Sequence, residues 1–295
     1  MGVKIKPMPT KQLKWILLVV LALIWGSSFI LIKKGLVGLD PFQLGSLRMI
    51  FAACFLLIIG FKTLPTIPIG RWKLIVLSAL LGNFFPAYLF AIAETRIGSS
   101  ISGMLNAFTP LNALVLGGLF FGLQFKRTQI IGVSVGLIGS LLLVFTGSDS
   151  GSSSEYTYIF LVFIATVCYG ANVNLVKKYL SDLSPLAIST GNFAALIIPS
   201  FVILYATGYF EVIHVPKVQK STLFIMILGV FGTGIANLLF YRLIQMATPV
   251  FATSVTYLIP IVAFFWGLLD NEMLTPLQFL GACIILCGVY LSGKK

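Results

Sequence analysis

The chain has 295 residues, 58% of them apolar and only 9% charged, with a mean hydropathy of +1.04. A soluble domain of this size carries about 25% charged residues, so the composition excludes a water-soluble globule. A net charge of +12 would fit a nucleic-acid surface only if the basic residues formed a stripe, and here they are spread over short loops.

Apolar runs of about 18–24 residues recur along the chain, matching the ~20 residues that carry a helix across ~30 Å of hydrocarbon rather than the ~10-residue alternation of a porin strand. Ten helices are predicted, at 14–32, 44–61, 72–92, 100–121, 129–146, 158–176, 186–207, 222–245, 250–269 and 277–291. The first follows Lys4, Lys6, Lys11 and Lys14, like the basic start of a signal peptide, but it lacks an Ala-x-Ala cleavage site and runs through Trp25 to Lys33-Lys34. It is expected to stay as a helix. In the second lies Arg48, the only charge well inside a predicted span, with anion binding, gating and a structural role as its alternative readings. The third carries Asn83, Pro86 and Tyr88, with Glu94 just beyond its end. The fourth has Asn106, Pro110 and Asn112, and after the fifth comes a Gly/Ser-rich linker at 146–155. Tyr169, Gly170, Asn172 and Asn174 lie in the sixth helix, Asn192 and Pro199 in the seventh, and His214 in the loop that follows. The eighth holds Asn237, and the ninth Tyr257, Pro260 and Trp266. Cys283 and Cys287 in the tenth share a face, but no acid or histidine in that segment completes a metal site, so no metal and no cofactor is expected. All four cysteines fall in apolar runs, against a disulfide framework.

The chain repeats itself. Gly26, Leu31, Lys33, Lys34, Leu36, Leu39 and Pro41 reappear 144 positions later as Gly170, Leu175, Lys177, Lys178, Leu180, Leu183 and Pro185. Farther along, 99–110 aligns with 249–260 at an offset of 150. With five helices per copy, the second copy enters from the opposite face, so the expected fold is an all-α integral membrane protein of ten transmembrane helices in two inverted five-helix repeats, 1–148 and 149–295. With both termini placed in the cytoplasm, 14 of the 20 basic residues fall on the cytoplasmic side and 5 on the other, Arg48 being intramembrane, in keeping with the positive-inside rule.

These features resemble the drug/metabolite transporter superfamily, in its EamA-type branch with two EamA domains. The resemblance rests on Trp25-Gly26-Ser27-Ser28-Phe29, Pro41, Arg48, Pro110, Pro260 and the closing pattern from Glu272 through Gln278 and Gly281 to Gly288, and covers nearly the whole chain. The second copy departs from the first, with Tyr169-Gly170-Ala171-Asn172-Val173 for Trp-Gly-Ser-Ser-Phe and Asn192 for Arg48. The resemblance implies a secondary transporter that exports a small metabolite by alternating access through a central cavity.

Polar groups in hydrocarbon need partners or water, so the mid-helix amides and neighbouring aromatics are the candidate lining. The expected substrate-binding residues are Trp25, Ser28, Asn83, Tyr88, Asn106, Tyr169, Asn172, Asn237 and Tyr257, with Arg48, Trp266 and Glu94 as gating or structural groups. Trp25–Phe29 and Tyr169–Val173 are expected to meet near the midplane. They favour an amino acid or a related small neutral or zwitterionic, partly apolar solute. A nucleotide-sugar or sugar-phosphate antiporter of the same superfamily is the alternative and would call for several midplane cations. No acid lies at a midplane, which points to a uniporter or exporter, or to coupling through a helix-end acid such as Glu94. Membrane enzymes need metal-binding acids or acid–base pairs, and channels a filter or charged ring; neither motif is visible. The expected partners are a small-molecule substrate and membrane lipid, with no nucleic acid. A monomer is expected, a dimer being the alternative, in a membrane such as the bacterial inner membrane.

Overall fold

The computed structural model describes residues 10–97, 102–103, 105–145, 156–269 and 276–292. Among these, every regular element is helical. The elements are α1 (Thr10–Gly26), α2 (Ser28–Gly35), α3 (Pro41–Gly60), α4 (Trp72–Ala79), α5 (Phe85–Ala93), α6 (Thr109–Phe121), α7 (Arg127–Phe145), α8 (Tyr156–Tyr179), α9 (Pro185–Ala206), α10 (Tyr209–Val212), α11 (Pro216–Ile227), α12 (Ala236–Met246), α13 (Pro249–Thr253), α14 (Val255–Leu269) and α15 (Pro276–Ser292). Joined end to end, they give among the described residues six stretches long and apolar enough to cross a membrane, Gln12–Gly35, Pro41–Thr66, Ile69–Ala93, Tyr156–Tyr179, Pro185–Ala206 and Pro216–Met246, with shorter apolar helices beside them.

Proline opens α3, α9, α11, α13 and α15, where its missing N–H costs nothing. Asp40 caps α3, its carboxylate accepting from Phe42 N at 2.7 Å and Gln43 N at 3.0 Å while Gln43 Oε1 accepts from Asp40 N at 3.2 Å. At the repeat-related position Ser184 caps α9 through Ala187 N at 3.1 Å. These caps start α3 and α9 at the prolines, ahead of the residues where the apolar pattern becomes continuous.

Several expected helices are interrupted, the ninth among them at Ser254 between α13 and α14. The first breaks at Ser27, between α1 and α2 and within the Trp-Gly-Ser-Ser-Phe motif. In the third, Leu80–Phe84 winds as a π segment between α4 and α5, and in the eighth Leu228–Ile235 does the same between α11 and α12. Such wide turns leave carbonyls free of the regular ladder, and they are frequent at functional sites. The linker at 146–155 and Glu272 lie outside the described residues.

The two ends of the bundle are held differently. At the end that carries Lys177, its Nζ donates to Ile244 O at 3.0 Å and Gln245 O at 3.1 Å, and Lys178 Nζ donates to Phe121 O at 2.6 Å, so two lysines cap the carbonyl ends of α12 and α6. Arg71 at the same end donates to Tyr179 O at 2.7 Å and pairs with Asp182 at 3.4 Å. At the opposite end Gln43 Nε2 donates to Thr207 O at 3.0 Å and Ser221 Oγ to Lys34 O at 3.1 Å. His214 is exposed there.

Candidate functional site

A cavity lies where the helix breaks meet. Its walls come from both copies of the repeat: Trp25, Ser28 and Phe29 around the Ser27 break, Tyr169, Asn172 and Val173 from α8, and side chains of α3, α5, α12, α13 and α14. Its atom-free space, open mouth included, is about 830 Å³.

Two aromatic pairs form its apolar walls. Trp25 meets Phe240 edge-on with centroids 4.9 Å apart, and Tyr169 stacks on Phe90 at 6.1 Å. Trp25 and Tyr169 are 144 positions apart and Phe90 and Phe240 150 apart, the offsets of the repeat itself. The same relation governs the glycines beside them: a β-carbon on Gly26 would meet Val262 Cβ at 2.6 Å, and one on Gly170 would meet Ala113 N at 2.8 Å. Each glycine thus lets its span press onto a helix of the other copy.

The polar lining is held by the π segments. Gly232 O, in the second π segment, accepts from Trp25 Nε1 at 3.0 Å and so fixes the indole. Next to it Thr233 Oγ1 accepts from Arg48 Nε at 2.6 Å. Asn237 Nδ2 donates to Asn83 Oδ1 at 2.9 Å and to Thr233 O at 2.9 Å, tying the two π-containing spans together across the cavity. Asn83 Nδ2 is buried without a partner among the described residues. Ser78 donates to Asn172 Oδ1 at 2.8 Å, and the hydroxyls of Ser78 and Tyr241 meet the Asn192 carboxamide at 3.1 and 2.8 Å. Thr109 donates to Asn106 Oδ1 at 2.9 Å.

Seven expected binding residues are brought together here: Trp25, Ser28, Asn83, Asn106, Tyr169, Asn172 and Asn237. Tyr88 and Tyr257 are not part of the lining. Tyr88 lies against Gly45 with its hydroxyl 2.8 Å from Ser46 Oγ, and Tyr257 packs on Gly136 and donates to Val133 O at 2.9 Å. Both hydroxyls are spent on helix contacts, away from the lining that the other seven share. Arg48, expected to gate or brace, faces the cavity. Glu94 lies one turn beyond Phe90, with both carboxylate oxygens buried and without hydrogen-bond partners among the described residues. Burial pushes its carboxyl well above the usual range, against the pull of Arg48 and Lys33. The side chain of Trp266 is outside the described residues. Asn112, Asn174 and Asn192 act as glue between helices, Asn112 through Thr166 at 2.9 Å and Asn174 through Ala113 O at 2.7 Å. Phe90, Phe240, Met49, Thr253 and Thr256 line the cavity without having been singled out in the sequence. Phe90 and Phe240 were detectable as a pair conserved in place between the two copies at the 150 offset.

The EamA-like transporter family model matches residues 13–145 and again 156–293. The chain belongs to the EamA-like transporter family. This EamA-like protein is 27% identical over 92% of its length to the uncharacterized inner membrane transporter YedA of Escherichia coli, covering 87% of that protein. It is 26% identical to a probable amino-acid metabolite efflux pump of Escherichia coli, over 94% of this chain and 93% of that one. With the S-adenosylmethionine/S-adenosylhomocysteine transporter of Chlamydia trachomatis it shares 25% identity, over 86% of this chain and 81% of the other. A solved crystal structure superposes with a TM-score of 0.73 at 14% identity, covering 94% of each chain, which establishes a shared fold. The protein is accordingly a multi-pass membrane transporter of the drug/metabolite transporter superfamily.

Proposed function

We propose that this EamA-like protein exports a small, partly apolar neutral or zwitterionic metabolite, an amino acid or a close relative, by alternating access of the central cavity. The observation that carries the reading is the cavity's wall: two repeat-related aromatic pairs, one contributed jointly by α1 and α12 and the other by α8 and α5, enclose a cluster of asparagines. Aromatic faces suit an apolar body, and amides suit the hydrogen-bonding end of such a solute.

In this reading the chain forms ten spans in two inverted repeats, 1–148 and 149–295, with both termini in the cytoplasm, and works as a monomer. The Lys177 end then faces the cytoplasm. The names of the amino-acid metabolite and S-adenosylmethionine relatives lend support, since both describe small, amino-acid-derived solutes. A sugar-phosphate substrate fits less well, because Arg48 is the one charged side chain of the described lining.

The test is a metabolite exchange screen with purified protein in proteoliposomes, with and without a pH gradient. Exchange of one or more small amino-acid-like solutes is expected, cut at least ~10-fold by Asn106→Ala, whose side chain faces the cavity. Absence of exchange for every solute under every gradient would defeat the proposal.

A further inference from the structure

Arg48 is a half-buried cation inside a membrane-length span, without an ion-pair partner among the described residues. Its Nε is anchored at 2.6 Å to Thr233, its one hydrogen bond among the described residues, and the side chain lines the cavity. No described carboxylate comes within 4.0 Å of it. The acid nearest in electrostatic terms, Glu94, does not touch it and leaves its own oxygens unpaired. A buried charge of this kind is costly unless something of opposite sign completes it.

The neighbouring lining sharpens what that something is. Asn83 is 4% exposed and its Nδ2 has no partner by distance and angle among the described residues, so a second donor of the same lining is left unmet. The hydroxyls of Ser28, Thr253 and Thr256, by contrast, are turned back to backbone carbonyls three or four residues earlier, Ile24, Pro249 and Thr253, at 2.8, 2.9 and 2.9 Å. A fixed guanidinium and an unmet amide donor in one cavity call for an acceptor-rich anion with one negative charge. A carboxylate matches the planar fork edge of arginine. A phosphate monoester, close to two charges at neutral pH, would leave the cavity with an uncompensated negative charge, because no second cation is part of the described lining.

We propose that the Arg48 terminal nitrogens bind the carboxylate of the transported solute, so that a carboxylate group is required for recognition at this cavity. The inference rests on the transport reading above and adds to it a recognised group and a specificity-determining residue. Thr233 is the positioning residue: its hydroxyl fixes the Nε edge so that the opposite edge of the guanidinium faces the solute. The apolar body of the solute then lies between the Trp25–Phe240 and Tyr169–Phe90 pairs.

The test uses chemically matched probes with the full-length protein in proteoliposomes: L-phenylalanine and L-leucine against their carboxamides, with neutral polyols and a sugar phosphate as further solutes. Wild type should exchange at least one of the acids, with its amide about 30-fold weaker or worse, and Arg48→Gln should bring the acid down to the level of its amide. Thr233→Val, which keeps the charge but frees Nε, should raise KM for the acid several-fold with little effect on kcat, and it gives an independent reading if Arg48→Gln does not fold. Equal exchange of acid and amide by wild type, or undiminished preference for the acid in Arg48→Gln, would overturn the inference. So would exchange confined to solutes without a carboxylate, and in that case the transport reading survives. If no solute of any class exchanges, both fall together.

Discussion

Gly82 and Gly118 make a controlled pair of perturbations. Gly82 sits in the first π segment, where an added β-carbon would collide with Asn172 Nδ2, whereas Gly118 on α6 has nothing within 4 Å. Gly82→Ala must therefore displace Asn172, which accepts from Ser78 at 2.8 Å and lines the cavity. Overpacking a filled interior costs about 1–3 kcal/mol. A lost interhelical hydrogen bond in a bilayer protein adds about 0.6 kcal/mol. Alanine's better helix propensity returns up to about 1 kcal/mol. The net is a destabilisation of about 1–3 kcal/mol for Gly82→Ala, against a gain of about 0.5–1 kcal/mol for Gly118→Ala. Thermal unfolding of both purified variants in one detergent reads the difference directly, and proteoliposome exchange should fall about 10-fold or more in Gly82→Ala alone. If both alanines shift the midpoint in the same direction and by similar amounts, Asn172 is not packed on Gly82 and the polar wall has been misplaced.

Other consequences follow from individual contacts. Tyr88→Phe and Tyr257→Phe each delete a hydroxyl that binds Ser46 or Val133 O, so stability should fall by about 1 kcal/mol while KM for an exchanged solute stays within about twofold; a large rise in KM would return them to the binding site. Glu94 holds its proton more tightly when folded, so its contribution to stability is full below the ordinary carboxylate pKa and is lost as pH rises through the raised value. Melting temperature in the wild type should accordingly decline as pH is raised across that window, and Glu94→Gln, fixed in the neutral form, should flatten the decline; identical slopes would refute the burial of this carboxyl. Lys177→Met removes the cation that caps the last carbonyls of α12 and should lower stability by about 1–2 kcal/mol, measured by unfolding in detergent, with no change expected if that contact is incidental.

Much of the site was written in the repeat. Trp25 and Tyr169 could be paired from the 144-residue offset before any coordinates, and seven of the nine expected binding residues line one cavity. Helix starts were less legible because the apolar pattern begins later than the caps: Asp40 and Ser184 set the first turns of α3 and α9. The π segments left no local signal, since one extra residue per turn is selected by packing and by acceptors such as Gly232 O for Trp25, not by the propensity of Leu80–Phe84 or Leu228–Ile235. The placement of Tyr88 and Tyr257 outside the lining was illegible for a related reason. An aromatic hydroxyl in an apolar span has to meet a partner, and the sequence does not say whether that partner is a solute or a serine on the next helix. Phe90 and Phe240 were passed over because phenylalanine in a membrane span is by default a lipid-facing or packing residue.

The central claim, that the cavity is the transport path, is most directly tested at Ser28, which lies in the lining beside the break in the first span. In a cysteine-free chain carrying Ser28→Cys, a membrane-impermeant thiol reagent should react when applied from either face of a proteoliposome. Reaction should stop exchange, and the exchanged solute should protect against it. A residue that reacts from neither face, or whose modification leaves exchange unchanged, would contradict transport through this cavity.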